Sequence, residues 1–119
     1  MKKKLNIAII GLGNIGSYLY KFLKENQKIL SKKNNCIPNI IYISSKNIKK
    51  KRSIKVDKKK WLKNYLDATT DKNVDIIVEL IGGAEGAAKK LVFNALKNKK
   101  HVVTKVKCIT MLKLKLIYC

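Results

Sequence analysis

The most constraining feature of the sequence is a short apolar segment that runs directly into three closely spaced glycines. Residues 5–10 read LNIAII, and a β-branched, almost wholly apolar run of this length is typical of a buried strand in a parallel sheet. The glycines form the motif G-x-G-x-x-G at Gly11, Gly13 and Gly16, and apolar side chains recur at helical spacing after it. The sequence therefore predicts a strand, a glycine turn and a helix over about residues 14–30.

Each of the three glycines has a steric reason if the motif binds a dinucleotide. Gly11 permits the tight turn, Gly13 lets the pyrophosphate approach the backbone because it has no Cβ, and Gly16 lets the helix pack closely on the strand. The free N–H groups and the positive end of the helix dipole then face the phosphates. A phosphate-binding loop of the NTPase kind is excluded, because no Lys-Ser or Lys-Thr follows the last glycine.

The alternative for the same motif is an ordinary glycine-rich turn that binds no ligand. Its position between a buried strand and an amphipathic helix favours the dinucleotide site. The candidate cofactor-binding residues of this turn are Gly11, Leu12, Gly13, Asn14, Ile15 and Gly16.

Further along the chain, strand-like segments alternate with helical ones. Asn34, Asn35 and Pro38 indicate a loop, and the basic residues 46–63, which include Trp61, are expected to form a surface loop with a turn or two of helix. The remaining predicted elements are strands at residues 39–44, 75–81 and 101–104 and a helix over about residues 85–98. This alternation predicts an α/β fold of the Rossmann type, in which helices flank a parallel sheet.

The end of the second predicted strand bears on the choice of cofactor. An acidic residue there accepts hydrogen bonds from the ribose of NAD, whereas basic and hydroxyl groups suit the 2′-phosphate of NADP. The strand ends in Ser44-Ser45-Lys46, and no carboxylate occurs between Glu25 and Asp57. NADP is therefore favoured, with Ser45 and Lys46 as candidate ligands and NAD as the alternative.

A second pair of glycines, Gly82 and Gly83, follows the third predicted strand. Strand ends at that edge of an open parallel sheet line the ligand crevice, so these glycines would let the backbone approach the nicotinamide half of the cofactor. A turn that starts the next helix accounts for them equally well, and both interpretations stay open.

The net charge of +21 suggests nucleic-acid binding, but its composition argues against that function. Of the 28 basic residues only Arg52 is arginine, the residue that specific base and phosphate contacts favour. Lysine, isoleucine and asparagine are all abundant and all have A/T-rich codons, so a genome bias accounts for much of the charge. RNA or membrane phosphates bound by residues 46–63 are kept as the lesser alternative.

The three cysteines, Cys36, Cys108 and Cys119, are odd in number and widely spaced, which indicates free thiols in a reducing cytoplasm. Only His101 could join them as a metal ligand, so no metal site is predicted. No apolar run has the length of about 18 to 20 residues that a membrane span needs. Neither a membrane nor a nucleic acid is an expected partner.

Two later segments resemble one enzyme family closely. The sequence VELIGG at residues 78–83 and KKHVVT at residues 99–104 resemble the nucleotide domain of homoserine dehydrogenase, which also carries the glycine motif. The resemblance covers about residues 5–104 and adds Thr104 to the candidate cofactor-binding residues. It implies a protein that reduces aspartate 4-semialdehyde to homoserine with NAD(P)H, on the route to threonine and methionine. It also implies a second domain that binds substrate and mediates homo-oligomerisation in the full-length form.

The resemblance changes after Thr104, where the family continues with A-N-K-A-L and this chain reads Lys105-Val-Lys-Cys. Lys107 falls where the family has its lysine, and it is the candidate catalytic residue, as a proton donor or orienting group. We divide the chain into an NAD(P)-binding domain at residues 1–104 and a divergent tail at residues 105–119. Our hypothesis is a reading-frame slip near Thr104, and the alternative is a genuine stand-alone small domain.

With the substrate domain absent from these residues, we expect the polypeptide to bind cofactor weakly and not to turn over substrate. Hydride transfer requires the substrate to be held at near-attack distance, and that effect contributes several powers of ten in rate. A dinucleotide-sensing regulatory module without catalysis is the alternative function.

Overall fold

The structure, a computed structural model, describes residues 3–46, 48–49, 54–81 and 86–104. The regular elements are β1 (Lys3–Ile10), α1 (Asn14–Glu25), α2 (Gln27–Lys33), β2 (Cys36–Ser44), β3 (Ile76–Glu79), α3 (Ala87–Lys97) and β4 (His101–Thr104). Two short 3₁₀ helices, Lys58–Lys60 and Tyr65–Thr69, lie between β2 and β3.

The four described strands form one parallel sheet in the order β2-β1-β3-β4. The chain moves from β1 to one side to make β2 and then crosses back to the other side to make β3. The register aligns the strand ends, since Ile10 pairs with both Ser44 and Glu79, and Glu79 pairs with Thr104. In such a sheet the crevice for ligands opens at these carboxyl ends, where the strand order reverses. The predicted Rossmann-type fold is confirmed.

Alternation along the strands divides the core between the two faces of the sheet. On one face, Ala8, Ile77 and Val102 pack against the apolar side of α3, which contributes Leu91 and Ala95. Five further residues complete the buried cluster on that face: Ile10, Ala68, Val74, Ala88 and Val92. The opposite face carries a buried cluster that includes Ile7, Ile9, Ile43, Val78 and, from α1, Tyr20. The two strands that pair on both sides are buried towards their carboxyl ends, at residues 7–10 of β1 and residues 77–79 of β3, which is why these segments are apolar runs in the sequence.

The first predicted helix is two helices, because the chain breaks at Asn26. The side-chain amide of Asn26 donates to the carbonyl oxygen of Phe22 at 2.8 Å, and its backbone N–H donates to the same oxygen at 3.0 Å. An asparagine side chain that competes for a helix carbonyl in this way ends a helix locally. The prediction of one helix over residues 14–30 was therefore wrong in its continuity.

The second strand begins at Cys36, and the prediction that Pro38 lies in a loop was wrong. Pro38 pairs with Leu5 of β1. Proline is compatible with this position because β2 is the outer strand of the described sheet, where a missing N–H need not break a ladder between two strands. The carbonyl oxygen of Pro38 accepts a hydrogen bond from the Gln27 side chain at 2.7 Å.

The basic stretch between β2 and β3 is attached to the sheet more firmly than expected. Trp61 forms an isolated parallel bridge with Ile43, and the N–H of Leu62 donates to the Ile43 carbonyl at 2.9 Å. The 3₁₀ helix at Lys58–Lys60, capped by Asp57, confirms the expected turn of helix. A second 3₁₀ helix, Tyr65–Thr69, was not predicted, although Asn64 caps it by accepting from the N–H of Leu66.

Other bounds differ by a few residues. The third strand is shorter than its apolar run, ending at Glu79 instead of residue 81, and the last strand, His101–Thr104, is as predicted. Of the helix predicted at 85–98, residue 85 lies outside the described residues, Gly86 is the N-cap, and α3 runs from Ala87 to Lys97. Cys36 is a free thiol, whereas Cys108 and Cys119 lie outside the described residues. Of the helices in the described ranges, none is long and apolar enough to cross a membrane.

A side-chain pair fastens β2 to the segment before β3. The hydroxyl of Tyr42 donates to the carboxylate of Asp71 at 2.5 Å, and the N–H of Asn73 donates to the other carboxylate oxygen at 2.8 Å. These hydrogen bonds hold the pKa of Asp71 below its ordinary value, and the same pair raises the pKa of Tyr42. The ionised Asp71 therefore stabilises the folded chain.

The lowered pKa predicts a specific acid sensitivity. A carboxyl group whose pKa is lower when folded contributes stability above its unfolded pKa of about 4, and the contribution is lost as the pH falls through the folded value. The free energy of unfolding falls between about pH 5 and about pH 3, and we expect it to fall less in Tyr42→Phe than in the parent. The difference should be less than about 1 kcal/mol, because both side chains are only half-buried and solvent screens the pair. Urea unfolding at several pH values measures this, and identical pH profiles would contradict it.

Candidate functional site

An open cleft of about 620 Å³ lies at the carboxyl ends of the strands. Its walls come from the end of β1 and the glycine turn, the end of β2, the segment after β3, the first residue of α3 and the stretch after Trp61. The lining residues are Ile10, Gly11, Gly13, Ser44, Ser45, Lys46, Lys63, Tyr65, Leu80, Ile81 and Ala87. The cleft therefore lies at the point where the sheet order changes direction, as expected for a ligand site in an open α/β sheet.

Gly11 and Gly16 are required by packing alone. Gly11 has a φ of +106°, a backbone conformation that favours glycine, and a Cβ there would lie 2.7 Å from the Leu80 carbonyl carbon. A Cβ on Gly16 would lie 2.2 Å from the carbonyl oxygen of Gly11. The start of α1 therefore packs against Gly11, and Gly11 packs against the segment after β3.

Gly13 differs from both, because no atom of the described residues lies within 4 Å of the position that its Cβ would occupy. It is exposed, its backbone is extended (φ −84°, ψ −153°) and it forms the N-cap of α1 without a side-chain cap. Within the described part of the chain, no packing contact therefore explains a glycine at this position. Gly13 lines the cleft beside the N-terminus of a helix, where backbone N–H groups and the helix dipole favour an anion.

The other residues of the turn contribute different surfaces. The Leu12 side chain is buried in the core, at 3% exposure, so only its backbone can face a ligand. Ile15 is 59% exposed, and Asn14 is exposed as well. Neither Asn14 nor Ile15 lines the cleft with its side chain. The turn therefore presents its main chain.

The end of β2 is tied to the glycine turn and forms one wall of the cleft. The N–H of Gly11 donates to the carbonyl oxygen of Ser44 at 2.8 Å. Ser45, which is half-buried, and Lys46, which is exposed, both line the cleft as the sequence predicted.

Sequence reasoning missed Lys63 and Tyr65, which line the same wall. The bridge between Trp61 and Ile43 brings this part of the chain to the end of β2. The one available signal was the single tryptophan in a stretch of lysines, since a large apolar side chain there indicates contact with the sheet.

The ends of β3 and β4 are joined by a buried carboxylate that the sequence did not single out. The side chain of Glu79 is 0% exposed, and one of its oxygens accepts from the hydroxyl of Thr104 at 2.5 Å. The other accepts from the N–H of Ile81 at 2.6 Å. Thr104 is thus held at the strand edge, while Gly82, Gly83 and Lys107 lie outside the described residues.

Comparison with known proteins agrees with this geometry. The family model for the NAD-binding domain of homoserine dehydrogenase matches residues 11–116, which is most of the chain. The chain belongs to this family. The predicted resemblance to homoserine dehydrogenase is confirmed.

Individual relatives share the whole described fold. The chain is 34% identical to homoserine dehydrogenase of Bacillus subtilis (strain 168) over 102 residues, which is 86% of this chain and 23% of that protein. The crystal structure of S. aureus homoserine dehydrogenase at pH 6.5 has a TM-score of 0.85 and 34% identity, covering 98% of this chain and 30% of that chain. The enzyme from Thiobacillus denitrificans has a TM-score of 0.77 and 30% identity, covering 87% of this chain and 23% of that chain.

The chain therefore spans less than a third of the length of these homoserine dehydrogenases. The match to the NAD-binding domain extends beyond Thr104 to residue 116. The division at Thr104 and the frame-slip hypothesis remain predictions. Within the described ranges, no group of three or more His, Cys, Asp and Glu side chains could hold a metal ion.

The two glycines at the start of α1 give a matched pair for testing the packing. Gly16→Ala places a methyl group on the Gly11 carbonyl, and we expect it to lower the free energy of unfolding by about 1–3 kcal/mol despite the better helix propensity of alanine. Gly13→Ala adds the same atom in open space and should change stability by less than about 1 kcal/mol. Guanidinium unfolding measures both, and an equal loss for the two variants would show that steric contact is not the cause.

Proposed function

We propose that residues 1–104 bind NADP in the cleft at the carboxyl edge of the sheet and serve the homoserine dehydrogenase reaction. The observation that carries the proposal is the open space at Gly13, beside the uncapped N-terminus of α1. The bound dinucleotide would supply the hydride for reduction. The chain itself supplies the binding, the orientation and the electrostatic environment.

The glycine turn acts through its main chain. We assign the pyrophosphate to the turn formed by Gly11, Leu12, Gly13, Asn14, Ile15 and Gly16, because the first N–H groups of a helix have no acceptor within that helix. Gly11 and Gly13, which line the cleft, have no side chains to occupy the space of the phosphate groups, and the positive end of the α1 dipole lowers the energy of their charge. The carboxyl end of the sheet and α1 together orient the dinucleotide across β1.

The lining of the β2 wall supports NADP over NAD. Ser45, Lys46 and Lys63 are polar and basic side chains at that wall, and no carboxylate is among the described residues that line the cleft. Two ammonium groups and a hydroxyl suit a 2′-phosphate, whereas NAD-specific sites place an acid there to accept from the ribose. A phosphate bound near Lys46 and Lys63 would make charge-assisted hydrogen bonds.

The substrate and the setting are proposed from the family. The relatives are homoserine dehydrogenases, so the proposed reaction is the reduction of aspartate 4-semialdehyde to homoserine, in threonine and methionine biosynthesis in the cytoplasm. Lys107 is the proposed proton donor or orienting group. Gly82, Gly83 and Thr104 are proposed at the nicotinamide half, and homo-oligomers are proposed for the full-length form. We expect no turnover from residues 1–119 alone.

The experiment that tests the function is a titration of Gly13→Val with NADPH. A branched side chain would occupy the space assigned to the pyrophosphate, and a clash of this kind should weaken binding by at least about tenfold. The fold should be retained, since the extended backbone of Gly13 suits valine and its surroundings are open. Tyr18→Val, at a 69% exposed position on the same helix, is the control and should bind like the parent.

Two results would count against the dinucleotide site. One is an unchanged NADPH affinity in a folded Gly13→Val protein. The other is binding that falls steeply with salt in the parent and in Gly13→Val alike, which would indicate nonspecific attraction of phosphates to the lysines.

A second experiment tests the choice of cofactor. Lys63→Ala should weaken NADPH by about tenfold, because one charge-assisted hydrogen bond to phosphate is lost, and should leave NADH nearly unchanged. Ser45→Asp should move the preference towards NADH by repelling the 2′-phosphate. Lys59→Ala, an exposed lysine of the same stretch outside the cleft, is the matched control. A parent that already prefers NADH would show the assignment to be wrong.

A further inference from the structure

The carboxylate at the end of β3 belongs to Glu79 and is fully buried. Glutamate is rarely fully buried, and burying a carboxylate is unfavourable unless hydrogen bonds satisfy its oxygens. Glu79 is 0% exposed and accepts from the Thr104 hydroxyl and from the Ile81 N–H, one at each oxygen. The carboxylate is thus part of the sheet edge, and it holds two different segments at once.

One of those segments touches the glycine turn directly. A Cβ on Gly11 would lie 2.9 Å from the N atom of Ile81, the atom whose hydrogen bonds to Glu79. The other segment is the end of β4, because Thr104 pairs with Glu79 in the sheet register. Glu79 therefore fixes the distance between the glycine turn, the segment after β3 and the last residue of β4.

The position of this network indicates which part of a ligand it serves. In an open dinucleotide-binding sheet the end of the second strand takes the adenosine ribose, and the glycine turn takes the pyrophosphate. The remaining half of the ligand must then extend over the ends of β3 and β4. Ile81 lines the cleft on that side.

We propose that Glu79 is a positioning residue for the nicotinamide half of the dinucleotide. It acts through Ile81 and Thr104 without touching the cofactor. Removing its two acceptors frees the turn after β3 and the end of β4, while the glycine turn and the β2 wall keep their contacts. The inference rests on the proposed dinucleotide site and assigns a role within it to a buried side chain.

The test compares two ligands that share the adenosine half. Glu79→Leu removes both acceptors at similar size, and a buried N–H without an acceptor disturbs the segment that carries it. We expect Glu79→Leu to weaken NADPH by about tenfold and 2′,5′-ADP, which lacks the nicotinamide half, by less than about twofold. Glu79→Gln should rescue most of the NADPH affinity, since its amide can accept from Ile81 and donate to the Thr104 oxygen.

Asp75 provides the matched control at the other end of β3. Its carboxylate accepts from the backbone N–H of Asn6 at 2.8 Å, on the edge of the sheet remote from the cleft. Asp75→Leu should lower stability as Glu79→Leu does and leave the ratio of NADPH to 2′,5′-ADP affinity unchanged. If Glu79→Leu does not fold, Thr104→Val removes one partner of the carboxylate at constant shape and should shift the same ratio.

The outcomes separate this inference from the function on which it rests. A parent that binds neither ligand would overturn the proposed dinucleotide site and the role of Glu79 with it. A parent that binds both, with a Glu79→Leu variant that weakens both equally or neither, would overturn the role of Glu79 alone. An equal change of the ratio in Asp75→Leu would overturn it as well, because a remote loss of stability would then suffice.

Discussion

The close contact between Gly16 and Gly11 is the constraint on which the rest of the structure depends. The carbonyl oxygen of Gly11 occupies the place of a Gly16 side chain, and the main chain of Leu80 occupies the place of a Gly11 side chain. The glycine turn and the start of α1, which are neighbours in sequence, therefore meet the distant segment after β3 mainly through backbone atoms. This contact brings the N-terminus of α1 to the edge of the sheet at β1, and it sets how far the end of β3 lies from the glycine turn. Among the described residues, these spacings leave no atom beside the position of a Gly13 Cβ, and Gly13 lines the cleft.

Most of the fold could be predicted from the sequence, since it follows from local patterns. Apolar runs of β-branched residues became β1, β2 and β3, and the stripe of alanine and leucine became α3. The break at Asn26 was not predictable from periodicity, because the apolar spacing continues across it. The helix ends there because the side chain of one asparagine binds a carbonyl oxygen of α1. Pro38 was assigned to a loop by its residue type, but tertiary pairing with β1 made it part of a strand.

The candidate site divides in the same way between local and long-range determinants. The glycine turn is a local motif that the sequence shows directly, and Gly11, Gly13, Ser45 and Lys46 line the cleft, while their role as cofactor ligands stays a prediction. Lys63 and Tyr65 reach the cleft only because Trp61 bridges to Ile43, a pairing that no local pattern encodes. In the sequence, Glu79 is one polar residue in an apolar strand. That it accepts hydrogen bonds from Ile81 and Thr104 is evident only once the register of β3 against β4 is known. Backbone motifs are visible in a sequence, whereas side chains that meet across the sheet are visible only in the fold.

The outer margin of β2 has a consequence for how this chain behaves among copies of itself. Near the start of the strand, Pro38 has no N–H to donate and its carbonyl oxygen already accepts from Gln27. Near the end, the Ile43 carbonyl accepts from Leu62. Only the short stretch between these two positions could accept another strand, and a ladder of that length holds two molecules together poorly. Pro38 and the bridge between Trp61 and Ile43 thereby limit pairing of this apolar, β-branched strand with the same strand of another molecule. Such pairing between exposed strand edges is a route to aggregation.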